Sequence, residues 1–270
     1  MRFAAVLAGI VVLCLGAAAL VSAQTTPPTI TVTAGGSSLT VAPAGTLAAG
    51  PTRIEFVRTA GEPSLSIGAL KAGVTVEAFT AALRRSDDEA LEMIDIDAGA
   101  DLNADEPRWT STASLQAGST YVAVNTEDEE NRAGFEVTPF TVGTTPNGAT
   151  APRADATVTM VDLRFTGAST LPRNGTIRFR NNGWAPHFAV AAPLRSGATS
   201  AEIGQALKGG SQRALGRLLD FRNAGEPQAL ITRGADPVSQ VRFPKAGKWA
   251  LICFFENHAA QGMYRVVNVR

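Results

Sequence analysis

The chain has 270 residues, 45% of them hydrophobic. That is enough for two domains of ordinary size and too apolar for a disordered chain. Its 24 Lys and Arg balance its 24 Asp and Glu, and no basic block stands out, which argues against nucleic acid as a partner. The sequence has only two cysteines and two histidines, so any use of a thiol or an imidazole is tightly constrained.

Residues 1–23 read as a signal peptide. Arg2 supplies the positive start, residues 3–20 are apolar and small, and Val21-Ser22-Ala23 fits the small-x-small cleavage rule, with Gln24 as the new N-terminus. The apolar run is also long enough to cross a bilayer, so a retained anchor is the alternative. No other stretch suits a membrane span. Lipid attachment through Cys14 is disfavoured by the bulky Val11, Val12 and Leu13 before it. Cleavage removes Cys14 and leaves Cys253 alone, although exported proteins usually keep cysteines in pairs. A lone thiol is then buried and inert, a bridge between two chains, or a metal ligand.

Residues 24–29 read as a flexible leader. Residues 30–32 and 39–41 alternate apolar and polar, as half-buried strands do, with Gly35-Gly36-Ser37-Ser38 as the turn between them. Residues 53–57 alternate again, and residues 65–67 form a further short strand. At Thr75 the period changes. Val76, Phe79, Ala82 and Leu83 are three and four apart, which predicts a short amphipathic helix ending near Arg85. Residues 86–89 are a solvated turn or the start of a second helical piece. Residues 95–105 carry Asp95, Asp97, Asp101, Asn103 and Asp105 and invite a calcium reading. However, Gly99 falls where a loop starting at Asp95 needs a ligand, and Glu106 replaces the turn glycine of a loop starting at Asp101. A polar surface loop is expected there instead. Residues 121–124 are strand-like, and residues 127–130 make an acidic turn. Residues 138–155, with Pro139, Pro146 and Pro152, read as a linker between domains at 24–137 and 156–270.

After that linker the pattern begins again. Ile54-Glu55-Phe56 corresponds to Ile177-Arg178-Phe179. Residues 63–67 match residues 186–190, residues 75–83 match residues 199–207, and residues 121–125 match residues 249–253. In the second copy Thr199 and Glu202 fit a capping box. In this alignment Ser64, Asn125, Glu130 and Phe135 stand opposite His187, Cys253, His258 and Met263. The chemistry-bearing residues are in one copy only.

Cys253, His258 and Met263 lie on eleven consecutive residues between two strand-like runs, and His187 is the one further imidazole. Soft sulfur donors with imidazole suit copper better than magnesium or calcium. A coordinating Cys253 has to be a thiolate, which a cation beside it favours. Any one of the four taken alone is an ordinary core or strand-end residue.

On these residues the second copy resembles the cupredoxins, the blue-copper family of plastocyanin, azurin and rusticyanin. Two segments carry the likeness: residues 174–187, ending in Pro186-His187, and residues 246–269, with the Cys, His, Met loop. The resemblance implies an all-β protein of two tandem Greek-key β-sandwiches, each with a short helical insertion, the first without a site. It implies one type 1 copper held by His187, Cys253 and His258 in a trigonal plane, with Met263 as a weak axial ligand. Phe254 or Phe255 would shield the sulfur, while Phe188 and the carboxylate of Glu256 depart from the family pattern. The function implied is outer-sphere electron transfer with redox proteins as partners, outside the cytoplasm and not as an enzyme. The alternative is a non-redox cell-surface or binding module with a vestigial site. A disulfide between two chains through Cys253 is a third reading.

Overall fold

Alternation of buried and exposed residues accounts for most of the strands. The computed structural model describes residues 25–36, 38–127 and 131–270. The expected signal peptide, with Cys14, and Glu130 lie outside the described residues. The first half contains β1 (Thr29–Ala34), β2 (Leu39–Ala42), β3 (Thr46–Arg58), β4 (Ser64–Leu70), α1 (Val76–Arg85), α2 (Asp87–Leu91), β5 (Ile94–Asp101), β6 (Arg108–Leu115), β7 (Thr120–Asn125) and β8 (Glu136–Pro146). The second contains β9 (Ala156–Val161), β10 (Arg164–Gly167), β11 (Thr170–Leu171), β12 (Asn174–Asn181), β13 (His187–Pro193), α3 (Ser200–Lys208), α4 (Gln212–Leu218), β14 (Gly225–Ile231), β15 (Val238–Arg242), β16 (Gly247–Ile252) and β17 (Tyr264–Val269).

The two halves are the same sandwich twice, the all-β cupredoxin-like arrangement that the resemblance implies. In the first, β2-β1-β3-β6 face β3-β8-β7-β4-β5; in the second, β10-β9-β12-β15 face β11-β17-β16-β13-β14. The long β3 serves both sheets. Its start pairs with β8 and its end with β6, the roles that β11 and β12 divide in the second half. Phe56 and Phe179, each 0% exposed, hold equivalent places in the core. Burying a side chain of that size stabilises by about 1.5–3 kcal/mol.

The helical insertions cover the outer face of the second sheet in the same way. Phe79 and Leu83 of α1 pack with Val122 and Val124 of β7. Ile203 and Leu207 of α3 pack with Ala250 and Ile252 of β16. Thr75 caps α1 through the Ala78 N–H (3.1 Å). Thr199 caps α3 in the full reciprocal box with Glu202.

Two expectations are corrected. The linker does not begin at residue 138, because β8 runs on to Pro146 and pairs with both β7 and β3. Prolines 139 and 146 sit in that strand, and the chain leaves it only afterwards. Residues 95–101 are not a surface loop but belong to β5, whose residues from Asp97 to Ala100 are all buried. One side packs on β4. On another, Gly99 lets β14 approach, since a Cβ there would stand 2.8 Å from the Leu65 carbonyl oxygen and 3.2 Å from Ala229. Asp97 accepts a hydrogen bond from the Tyr121 hydroxyl at 2.6 Å. Burial pushes its carboxyl up to about 7, the Tyr121 hydrogen bond opposing and the charge of Asp95 adding.

The halves join through one continuous sheet. β15 pairs with β6 at Ser239↔Ser111 and Val238↔Thr112. Ser111 lies opposite Ile54, and Ser239 opposite Ile177, so the two serines are equivalent residues facing each other across an approximate twofold axis. Their hydroxyls are 3.2 Å apart and buried, and Ser239 donates onward to the Gln228 side-chain oxygen.

Candidate metal centre

Three strand ends carry the site. His187 opens β13, Cys253 directly follows β16, and Met263 directly precedes β17. β16 lies between β13 and β17 in the sheet, so residues distant in sequence meet at one edge. The Cys253 N–H donates to the Met263 carbonyl (3.1 Å), and the Met263 N–H to the His258 carbonyl (2.9 Å). The loop between them turns on itself, with His258 N–H on the Phe255 carbonyl. Glu256 takes a left-handed φ of 46° and is exposed, which keeps its carboxylate out of the interior.

The turn that presents His187 is held by Asn181, a residue the sequence reading passed over. Its buried amide nitrogen donates to the carbonyls of Ala185 (2.9 Å) and Ile231 (3.0 Å), and its oxygen accepts from the Gly183 N–H (2.9 Å). Gly183 has its own requirement: a Cβ there would sit 2.7 Å from His187 Nε2. The only sequence signal for this device is the Asn181-Asn182-Gly183 turn before Pro186.

His187, Cys253 and His258 are brought together and are buried, at 1%, 0% and 2% exposure. Both Nδ1 atoms face the sulfur, at 3.9 Å for His187 and 3.7 Å for His258, and all three donor atoms lie within 4.8 Å of one another. Nitrogen and sulfur donors in trigonal array about an ion, at ordinary bond lengths, stand about 3.8 Å apart. The donor set therefore fits one soft-to-borderline ion such as copper. Met263 is wholly buried beside them.

The electrostatics favour neutral donors. Burial, helped by the charge of His258, pushes His187 down to about 4, with Asp162 opposing. Burial also lowers His258, with Glu256 opposing. Burial pushes the Cys253 thiol up, against the N–H groups of Phe188 and Phe255 aimed at the sulfur, and Glu226 pushes it further. Two backbone dipoles thus await a thiolate that needs a cation to form. Of the two phenylalanines expected to shield the sulfur, Phe255 is the half-buried one. Its ring lies 5.4 Å from the His258 ring, while Phe254 is exposed.

The first half shows what replaces these residues. Its strand registers shift two of the equivalences expected from the sequence by one residue. Leu65 pairs with Asn125, and in the second half β13 and β16 pair in the register that sets Ala189 against Cys253. Leu65 therefore matches Ala189, and Pro63, not Ser64, takes the place of His187. Asn125 pairs with Glu136, while the Cys253 N–H bonds Met263, so Glu136, not Phe135, takes the place of Met263. Burial agrees: Pro63 is buried like His187, and Ser64 is half-buried like Phe188. The Asn125 amide donates to the Glu136 carboxylate at 3.1 Å, closing with a polar bond the strand pair that carries Cys253 and Met263 in the other half.

No protein-family model matches the sequence, and no curated protein matches it. Solved structures are similar at low identity. Auracyanin A, described as a blue copper protein from the green thermophilic photosynthetic bacterium Chloroflexus aurantiacus, is 20% identical over 42% of this chain and 96% of its own, with a TM-score of 0.28. A purple cupredoxin from Nitrosopumilus maritimus is 12% identical over 43% of this chain and 100% of its own, with a TM-score of 0.25. A multicopper oxidase from Pediococcus acidilactici is 12% identical over 90% of this chain and 58% of its own, with a TM-score of 0.26.

Proposed function

We propose that this chain is an exported electron carrier that holds one copper ion in its second half. His187, Cys253 and His258 are its main ligands, and Met263 is a weak axial one. One observation supports this reading above the others: two imidazole Nδ1 atoms and a lone thiol converge, buried, at the separations a trigonal site requires. Bound copper would supply a one-electron couple. The chain's own groups supply the rest. Asn181 fixes the turn before His187, the Phe188 and Phe255 N–H groups stabilise the thiolate, and Phe255 keeps water from the His258 ring. Four protein donors fill such a site and leave no position for a substrate, so the role is transfer and not catalysis. The partners are then redox proteins that approach the ligand-loop end. Among the described residues no helix is long and apolar enough to cross a membrane.

The test is a titration of the mature chain with Cu(II), followed by visible absorption, beside Cys253→Ser. An intense thiolate-to-copper band is expected, bleaching and returning over repeated one-electron reduction and oxidation, and absent in the serine variant. A colourless protein that binds no copper would leave a cupredoxin-like scaffold with a non-redox role.

A further inference from the structure

Beside the ligand loop, between the two halves, lies a cavity of about 350 Å³, within the range of small-molecule pockets. The first half contributes Phe79 and Leu83 of α1, Ile96 of β5, and Phe135. The second contributes Phe188 of β13, Leu230 of β14 and Phe255 of the ligand loop. Four phenyl rings thus border one space, from both sandwiches. The wall also holds two carboxyl groups, one from each half: Glu226 of β14 and Asp101 at the end of β5, which hydrogen-bond to each other. Among the described residues neither has an Arg or Lys partner within ion-pair distance. The third acid in the wall, Asp87, is already matched by Arg132 at 3.1 Å.

Glu226 is half-buried and Asp101 exposed at the cavity rim, and a negative charge beside Glu226 favours a proton on it or a cation next to it. Burial, the charge of Asp101 and the bond to it push the Glu226 carboxyl well above its ordinary value. The protein thus keeps an unmatched acid pair at the wall of an aromatic cavity. We propose that this cavity binds a small aromatic amine, its ring among the phenylalanines and its ammonium between Glu226 and Asp101. An aromatic ring matches the offset and edge-on packing that such side chains prefer. An ammonium there takes the place of the proton that Glu226 otherwise holds and faces both carboxyl groups. The site shares Phe188, Phe255 and Glu226 with the surroundings of the proposed copper centre but uses none of its four ligands, so amine binding to the metal-free chain tests it apart from the copper reading.

The experiment is calorimetric titration of the full mature chain at pH 7, with and without copper, using 2-phenylethylamine and, as its neutral comparator, 3-phenylpropan-1-ol. The amine is expected to bind at least tenfold more tightly than the alcohol. Glu226→Gln is expected to abolish that advantage while leaving the alcohol unchanged. Ala229→Phe, which fills the cavity from β14, is expected to weaken both. Absence of saturable amine binding, equal affinity for amine and alcohol, or an amine affinity unmoved by Glu226→Gln would overturn the proposal. Should the filled variant not fold, Glu226→Gln still decides it, because that change relieves the strained acid pair.

Discussion

The two halves share strand order, core aromatics and helical insertions, yet close the same sheet edge with different chemistry. In the second half His187, Cys253 and Met263 occupy it; in the first Pro63, Asn125 and Glu136 do. The neighbouring strands keep their pairing either way. The Asn125–Glu136 hydrogen bond shows that no ligand set is needed to hold those strand ends together. The candidate metal centre is thus a set of side chains placed on a scaffold that stands without it.

Substitutions in the two halves should have graded effects. The largest effects belong to the shared core. Phe56→Ala and Phe179→Ala should each cost about 3–5 kcal/mol in chemical denaturation. A much smaller loss at either would mean that the two cores are not equivalent.

Next come the buried titrating groups, which act in opposite directions. The carboxyl of Asp97 is raised to about 7, so its contribution is full below about 4 and is lost as pH rises through 7. The imidazole of His187 is instead lowered to about 4, so its contribution is full above about 6.5 and is lost as pH falls. Relative to Asp97→Asn, the metal-free wild type should therefore lose on the order of 4 kcal/mol between pH 4 and 7. Relative to His187→Asn, it should lose on the order of 3 kcal/mol between pH 6.5 and 4. Stability curves that stay parallel across these windows would contradict the burial argument.

Smaller still, Gly183→Ala should lower copper affinity by about ten- to hundredfold, since its methyl group must displace the His187 ring. Competition with a calibrated chelator measures this, and an unchanged affinity would mean that the turn yields freely. The smallest effect separates the two helix caps. Thr199→Ala should cost about 1 kcal/mol and Thr75→Ala less, because only Thr199 has a reciprocal partner.

The candidate site was legible because its residue types are scarce. With two histidines and two cysteines in the whole sequence, few constellations were possible, and the ligand spacing narrowed them further. The equivalences in the sister half were less legible. Matching Pro63 to Pro186 by identity slipped β4 by one residue, and in a strand a slip of one exchanges the two faces. Only hydrogen-bond register reveals it. β5 was hidden for another reason. Asp95, Asp97 and Asp101 read as solvated, yet Tyr121 satisfies Asp97 and β14 covers the strand, both contacts from distant sequence. Asn181 was invisible as a positioning residue because its partners, Ala185 and Ile231, are assembled only by the fold.

Whether one half alone binds copper is decided by X-ray absorption at the copper edge combined with metal stoichiometry. One copper per chain is predicted, with one short sulfur and two nitrogen neighbours, the sulfur lost in Cys253→Ser. Two coppers per chain, or a single copper without a sulfur neighbour, would contradict the assignment to His187, Cys253 and His258.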